Sequence, residues 1–191
     1  MANLDTPFGF RPVSMLDGSP YNGATRTYST VTGDGTAIYL GDPVKLSGTA
    51  STINGVAYQD VDQAATGDVI AGVVVGVVPE TRDSTIYRAA STARLLMIAP
   101  PNLLYEIQEV SGGTALAAAD IGLNADFVVA AGSAVTGQSG VEINNVGEAT
   151  TNTLDLQIIG LVPRADNAVG ENAKWLVRIN RSQWANQVAG I

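Results

Sequence analysis

One run constrains this chain more than any other: DVIAGVVVGVVP at residues 68–79, where valine and isoleucine crowd together with almost no charge. Branching at Cβ stiffens χ1 and suits such residues to a pleated, buried surface, so the run is read as an interior strand. Its uninterrupted apolar core, residues 69–78, is about half the ~20 residues that a membrane-spanning helix needs, and Gly72 and Gly76 punctuate it. A fainter copy, LDLQIIGLVP, occupies residues 154–163. The two are expected to share one core, although two matches do not make a repeat.

The remaining segments are short and strand-like. Residues 25–32 and 36–40 flank Gly33, Asp34 and Gly35, and an Asp-Gly pair accepts the positive φ of a tight turn, so a hairpin is expected near residue 34. Residues 44–46 follow another turn. Residues 47–65, small and polar around Asn54 and Gly55, are expected to be a loop with one short strand. Residues 93–99 form a strand that Pro100 and Pro101 must end. Residues 103–110 alternate from Tyr105, Ile107 and Glu109 to Glu106, Gln108 and Val110, which predicts a strand exposed on one side. Thr114 as cap, an alanine run and Gly122 as stop predict a short helix, and residues 182–187 a helical turn. Further strands are expected at 127–131, 141–143, 154–162 and 175–179. Nine or ten strands, with 21 glycines for turns, predict a mainly β protein: a single β-sandwich or barrel-like domain with an extended N-terminal arm and one or two short helical turns.

The chain has neither histidine nor cysteine. That removes the usual general base, the usual zinc ligands and every disulfide. Glu106 and Glu109, three apart on a strand, face opposite ways and make a poor acid and base pair. Asp60 and Asp62 resemble the start of a calcium loop, but Ala71 stands where its bidentate glutamate belongs. No Gly-Lys-Ser or Gly-Lys-Thr cradle, complete dinucleotide fingerprint or nucleophile elbow occurs. The chain is therefore expected to be no enzyme, with no catalytic residue, metal site or cofactor.

Charge divides the chain into three parts. The head, residues 1–30, is neutral; residues 172–191 carry Lys174, Arg178 and Arg181 with no acid. With the whole chain at −8, residues 31–171 carry a net −11 and form an acidic β-rich body. Such a balance argues against nucleic-acid partners, and no segment suits a membrane. No secretion signal is read at the N-terminus. The head holds Phe8, Phe10, Tyr21 and Tyr28 among Pro7, Pro12 and Pro20, and solvated disordered tails seldom pair phenylalanines. Phe8 and Phe10 either cover one end of this chain's own core or dock, with Arg11 and Pro12, on a neighbour. In the tail, Trp175, Arg178, Arg181 and Trp184 recur every three residues; as a strand, Trp175, Val177 and Ile179 share one face and Arg178 points away. The tryptophans are either core residues or interface anchors, and the tail packs on the body or on a neighbour.

Four stretches, PFGFRP (7–12), GDPVKL (41–46), DIGLNAD (120–126) and WLVRIN (175–180), occur in an order that resembles the capsid cement, or head decoration, proteins of tailed bacteriophages. The resemblance spans most of the chain. It implies a β-rich, non-enzymatic virion protein, made in the host cytoplasm and sited on the outer capsid surface. There it would clamp adjacent capsomers at three-fold or quasi-three-fold points, commonly as a homotrimer, with the major capsid protein and itself as partners. An arm that binds the shell would map onto residues 3–13. The inferred contact residues are Phe8, Phe10, Arg11, Pro12, Trp175, Arg178, Arg181 and Trp184. A β-sandwich that binds glycan or receptor in a phage tail or fibre, through Tyr39, Tyr58 and Tyr87, is the alternative.

Overall fold

The computed structural model describes residues 3–187, 189 and 190. The chain runs through β1 (Arg11–Met15), β2 (Arg26–Ser29), β3 (Pro43–Ile53), β4 (Val56–Gln63), β5 (Gly72–Val77), β6 (Leu95–Ala99), β7 (Leu103–Gln108), β8 (Asn124–Ala125), β9 (Phe127–Val128), β10 (Glu142–Ile143), β11 (Leu156–Leu161) and β12 (Lys174–Ile179). Strands β2 to β6 close a barrel in the order β2-β4-β3-β5-β6, with β2 returning to β6. A five-stranded antiparallel sheet, β1-β7-β12-β11-β8, places β7 between the first strand of the chain and the last, and β9 and β10 form a small ribbon. The fold is mainly β and sandwich-like, as the strand spacing predicts.

Strand β5 explains why the valine run dominates the sequence. Successive side chains on a strand point to opposite faces, and both faces of this one meet apolar surface. Val74 enters the barrel interior with Tyr28, Ile38, Val44, Val61, Leu96 and Ile98. Val73 points the other way, into a larger core that holds Phe10, Tyr105, Ile107, Leu156, Ile158, Trp175 and Val177. A register shift between Val74 and Gly76 reverses the alternation: Val75 packs on the larger core as Val73 does, whereas Val77 turns to the barrel core. Gly72 is required by close approach, since a Cβ there would lie 2.3 Å from the Ala99 carbonyl oxygen. The echo strand β11 shares the larger core through Leu156 and Ile158.

Several local expectations are corrected. No hairpin forms near residue 34; β2 turns away to pair with β6, and residues 36–40 make only isolated bridges at Ile38 and Leu40. The tight turn lies instead at Asn54 and Gly55, both with positive φ, and it joins the eleven-residue β3 to the eight-residue β4 through the segment expected to be a loop. Small polar residues hide a strand when no apolar face marks its period. The predicted helix is a single 3-10 turn at Ala118–Asp120. Leu116 is drawn into the core, and its amide donates to Glu109 Oε1 at 2.9 Å, which holds the chain extended. Residues 182–187 contain no helix. Strand β7 is buried on both faces rather than one: Glu106 and Gln108 lie inside as well as Tyr105 and Ile107. The head covers the second face, with the Thr6 amide donating to Gln108 Oε1 at 3.1 Å and Gln108 Nε2 donating to Asp5 Oδ1 at 3.0 Å.

Candidate docking surface

The head folds onto its own molecule. Gly9 and Gly41 both adopt left-handed φ, +71° and +94°, which lets their backbones meet so closely that a Cβ on Gly41 would lie 2.4 Å from the Phe8 carbonyl oxygen. The Phe10 amide donates to the Gly41 carbonyl at 2.9 Å. This junction turns Phe10 into the larger core, edge-on to Tyr105 at 5.9 Å and Phe127 at 6.0 Å. Phe8 is buried too, with the Arg11 guanidinium 4.3 Å from its ring centroid. Of the two readings of the phenylalanines, the structure therefore shows the one in which they cover this chain's own core. Arg11 stays half exposed, 3.9 Å from Glu106, a carboxylate that Arg164 also engages at 2.9 Å. Pro12, opposite Tyr105 in the register, is partly exposed.

In the tail, Trp175, Val177 and Ile179 face inward from β12 and Arg178 outward, as the strand reading predicts. Trp175 is fully buried, and its indole Nε1 donates to Glu109 Oε2 at 2.9 Å. The other oxygen of Glu109 accepts from the Leu116 amide and from Asn145 Nδ2 at 3.2 Å. Burial pushes the Glu109 carboxyl above its ordinary range even though these donors oppose it. Arg178 donates to Gln157 Oε1 at 2.7 Å. Arg181 donates to the Thr153 carbonyl at 2.8 Å and stands 3.7 Å from Asp155. Trp184 is half exposed, with the Arg26 guanidinium 5.9 Å from its ring. Val188 and Ile191 of the basic tail lie outside the described residues.

The inferred contact residues thus separate by burial. Phe8, Phe10 and Trp175 present little or nothing to a neighbour, Arg178 and Arg181 are engaged within the chain, and Arg11, Pro12 and Trp184 reach the surface. These last three border two hollows. One, of about 480 Å³, is lined by Phe8, Arg11, Pro12, Tyr21, Leu40, Val74 and Met97. The other, of about 330 Å³, is lined by Arg26, Tyr28, Ile98, Pro100, Pro101 and Trp184. Met97 and Ile98 are consecutive on β6, so one strand borders both hollows. Tyr39 and Tyr87, expected of a glycan site, stack on one another at 4.9 Å and 15°, and each covers a face of the other. Tyr58 stands on β4.

Two buried carboxyls, Asp42 and Asp155, and a half-buried one, Glu142, lie elsewhere in the fold. Asp42 is pushed up to about 6 by burial. Glu142 rises to about 7 through burial and the nearby Asp5, and Asp155 to about 7 through burial and its neighbour Asp126. A carboxyl whose native value exceeds its unfolded one binds extra protons when folded, so its stabilisation is complete below the ordinary carboxylate range and is lost as pH rises through the native value. Asp60 and Asp68 act in the opposite sense. Burial raises both, but hydroxyl donors outweigh it at Asp60 and Lys45 outweighs it at Asp68, so their contribution is lost as pH falls below about 4. Thermal stability is therefore expected to peak near pH 4, to fall by several degrees between about pH 4 and 7, and to change little above that. Calorimetry from pH 3 to 8 checks this, and Glu142→Gln should flatten the upper limb.

Comparisons with protein families, with curated proteins and with solved structures return no match for this chain.

Proposed function

We propose that this chain is a structural, non-catalytic protein of a tailed-phage virion. It binds the outer surface of the head, as a trimer at three-fold or quasi-three-fold positions, and clamps adjacent capsomers. One observation carries the reading: the four stretches that resemble head decoration proteins are far apart in sequence, yet they meet in the fold. Residues 7–12 lead into β1, residues 120–126 contain β8 and residues 175–180 belong to β12, all in one sheet, while Gly41 holds the head through Gly9. The stretches that carry the resemblance are thus fold determinants, and the contacts with the shell and with other copies fall to the exposed residues around them.

Arg11, Pro12 and Trp184 are the surface residues best suited to that contact. A half-exposed tryptophan beside arginine, at the rim of a hollow, is of the type that dominates interface energies, with truncation costing about 2 kcal/mol or more. Linking three such sites in a trimer makes the second and third contacts intramolecular, so weak individual sites suffice. The test is co-sedimentation of purified protein with mature heads that lack it. Wild-type protein should bind at facet or vertex positions visible by electron microscopy, and Trp184→Ala should weaken binding at least about tenfold. Absence of head binding, with retention on a glycan array, would instead establish the tail- or fibre-module alternative. Any truncation must stop before Pro7, because residues 8–15 supply core and β1.

A further inference from the structure

The β3–β4 hairpin leaves the barrel. Strand β3 touches β5 only through Pro43 and Val44, and β4 touches β2 only where Asp60 meets Ser29; Ala50 to Ile53 and Val56 to Gln59 pair with one another alone. No residue from 45 to 59 is buried. Among the described residues, no backbone group of Ala50 to Ile53 or of Val56 and Ala57 bonds outside the hairpin. A two-stranded ribbon of this kind is marginal in water by itself. It is nonetheless held in one register. The Asp60 carboxylate at its base accepts hydrogen bonds from Ser29, from Thr49 at 2.8 Å and from Ser51 at 3.1 Å, and Ser47 bonds the Asp60 carbonyl at 3.1 Å.

Both outer edges of the ribbon are open beyond its base, where the one register shift lies between Leu46 and Ala50. From Leu46 to Gln59 there is no lysine, no proline and no charge of either sign. One face carries Ser51, Ile53, Val56 and Tyr58; Val56 is 50% exposed, and none of the four packs into either core. An open strand edge is satisfied by another strand edge. Two copies of a chain with net charge −8 repel one another, and this uncharged ribbon is where they can approach without like charges meeting.

We propose that the hairpin of one copy adds edge to edge to the hairpin of a second copy, the outer edge of β4 against the outer edge of β3. The pairing is antiparallel, and it converts two marginal two-stranded ribbons into one larger sheet. Because the contact is head-to-tail, it repeats, and it closes when the last β4 meets the first β3. Under the trimer reading, on which only the number of copies rests, three hairpins make a six-stranded ring. The ring encloses the Ile53, Val56 and Tyr58 faces and leaves no strand edge open.

The closing pair of the two-residue turn is Ile53 and Val56, so hydrogen-bonded pairing alternates to leave the amides of Thr52 and Ala57 pointing outward. The experiment uses the full chain alone. Light scattering across a concentration series should show reversible association, and hydrogen exchange should show slowed Thr52 and Ala57 amides at the associated end. Thr52→Lys and Ala57→Lys, each tested separately, put a charge on one of the two pairing edges, the means by which edge strands are kept from adding another strand, and should weaken association at least about tenfold. Both sites are exposed, so the melting temperature of the monomer should stay unchanged. A chain that remains monomeric at every concentration overturns the proposal. So does an oligomer whose mass is indifferent to both lysines, an outcome that leaves trimeric head binding standing and removes only the hairpin from it.

Discussion

Arg88→Met should lower the stability of the fold by about 3–5 kcal/mol, the range for stripping one partner from a buried ion pair. Arg88 is fully buried, and every nitrogen of its guanidinium is used. Nε donates to the Thr92 carbonyl at 2.8 Å, Nη2 to the Val31 carbonyl at 2.6 Å, and Nη1 to Asp34 Oδ2 at 2.8 Å and to the Thr36 carbonyl. Its backbone also bridges Ile38 in both directions, at 2.9 and 2.8 Å. One side chain thus ties together the irregular segments at residues 31–38 and 88–92, for which no strand ladder is present. Methionine fills comparable volume and satisfies none of these oxygens, leaving the Asp34 charge and three carbonyls without their donor. In a chain of this size the loss corresponds to a drop in melting temperature on the order of 10 °C. Lysine, a point charge in place of a planar fork, should recover only part of it. Chemical denaturation of both variants measures the effect; a loss below about 1 kcal/mol for methionine would refute the role assigned to Arg88.

The second large effect is expected at Trp175→Ala, at about 3–5 kcal/mol from the cavity alone. Glu109 adds to it, because the indole is one of three donors that satisfy a fully buried carboxylate. Trp175→Phe separates the two contributions: it retains most of the volume and removes the hydrogen bond, so it should cost about 1–3 kcal/mol. It should also push the Glu109 carboxyl further upward, so that the variant loses more stability at pH 8 than at pH 5. Equal losses for the phenylalanine variant at the two pH values would show that the indole–carboxylate bond carries no charge dependence.

What the sequence made legible was burial written in long apolar side chains. The valine run, its echo and the alternating Trp175, Val177 and Ile179 were readable because their period matches the pleat and their side chains have one favourable place to go. The paired strands β3 and β4 were not, since Ser, Thr, Ala and Gly give no amphipathic period, and only Asn54 and Gly55 marked the turn. The predicted helix failed because the pull of one buried residue, Leu116, outweighed the propensity of a few alanines. At the docking surface, residue type alone could not separate Trp175 from Trp184. The distinction rests on Glu109, 66 residues from Trp175, which supplies the one an internal acceptor. Arg88 carried no signal at all, because its partners are mostly backbone oxygens, and every residue type has one.

The placement of β1 bears on how the chain is made. Its partner β7 begins at Leu103, after the entire barrel, so a nascent chain must complete β2 to β6 before the first strand has anything to pair with. During that interval Phe10 also lacks Tyr105 and Phe127, the two rings it packs against. The three prolines spaced through the head, at 7, 12 and 20, each remove a backbone donor, which disfavours pairing of this aromatic stretch with another growing chain until its own sheet arrives.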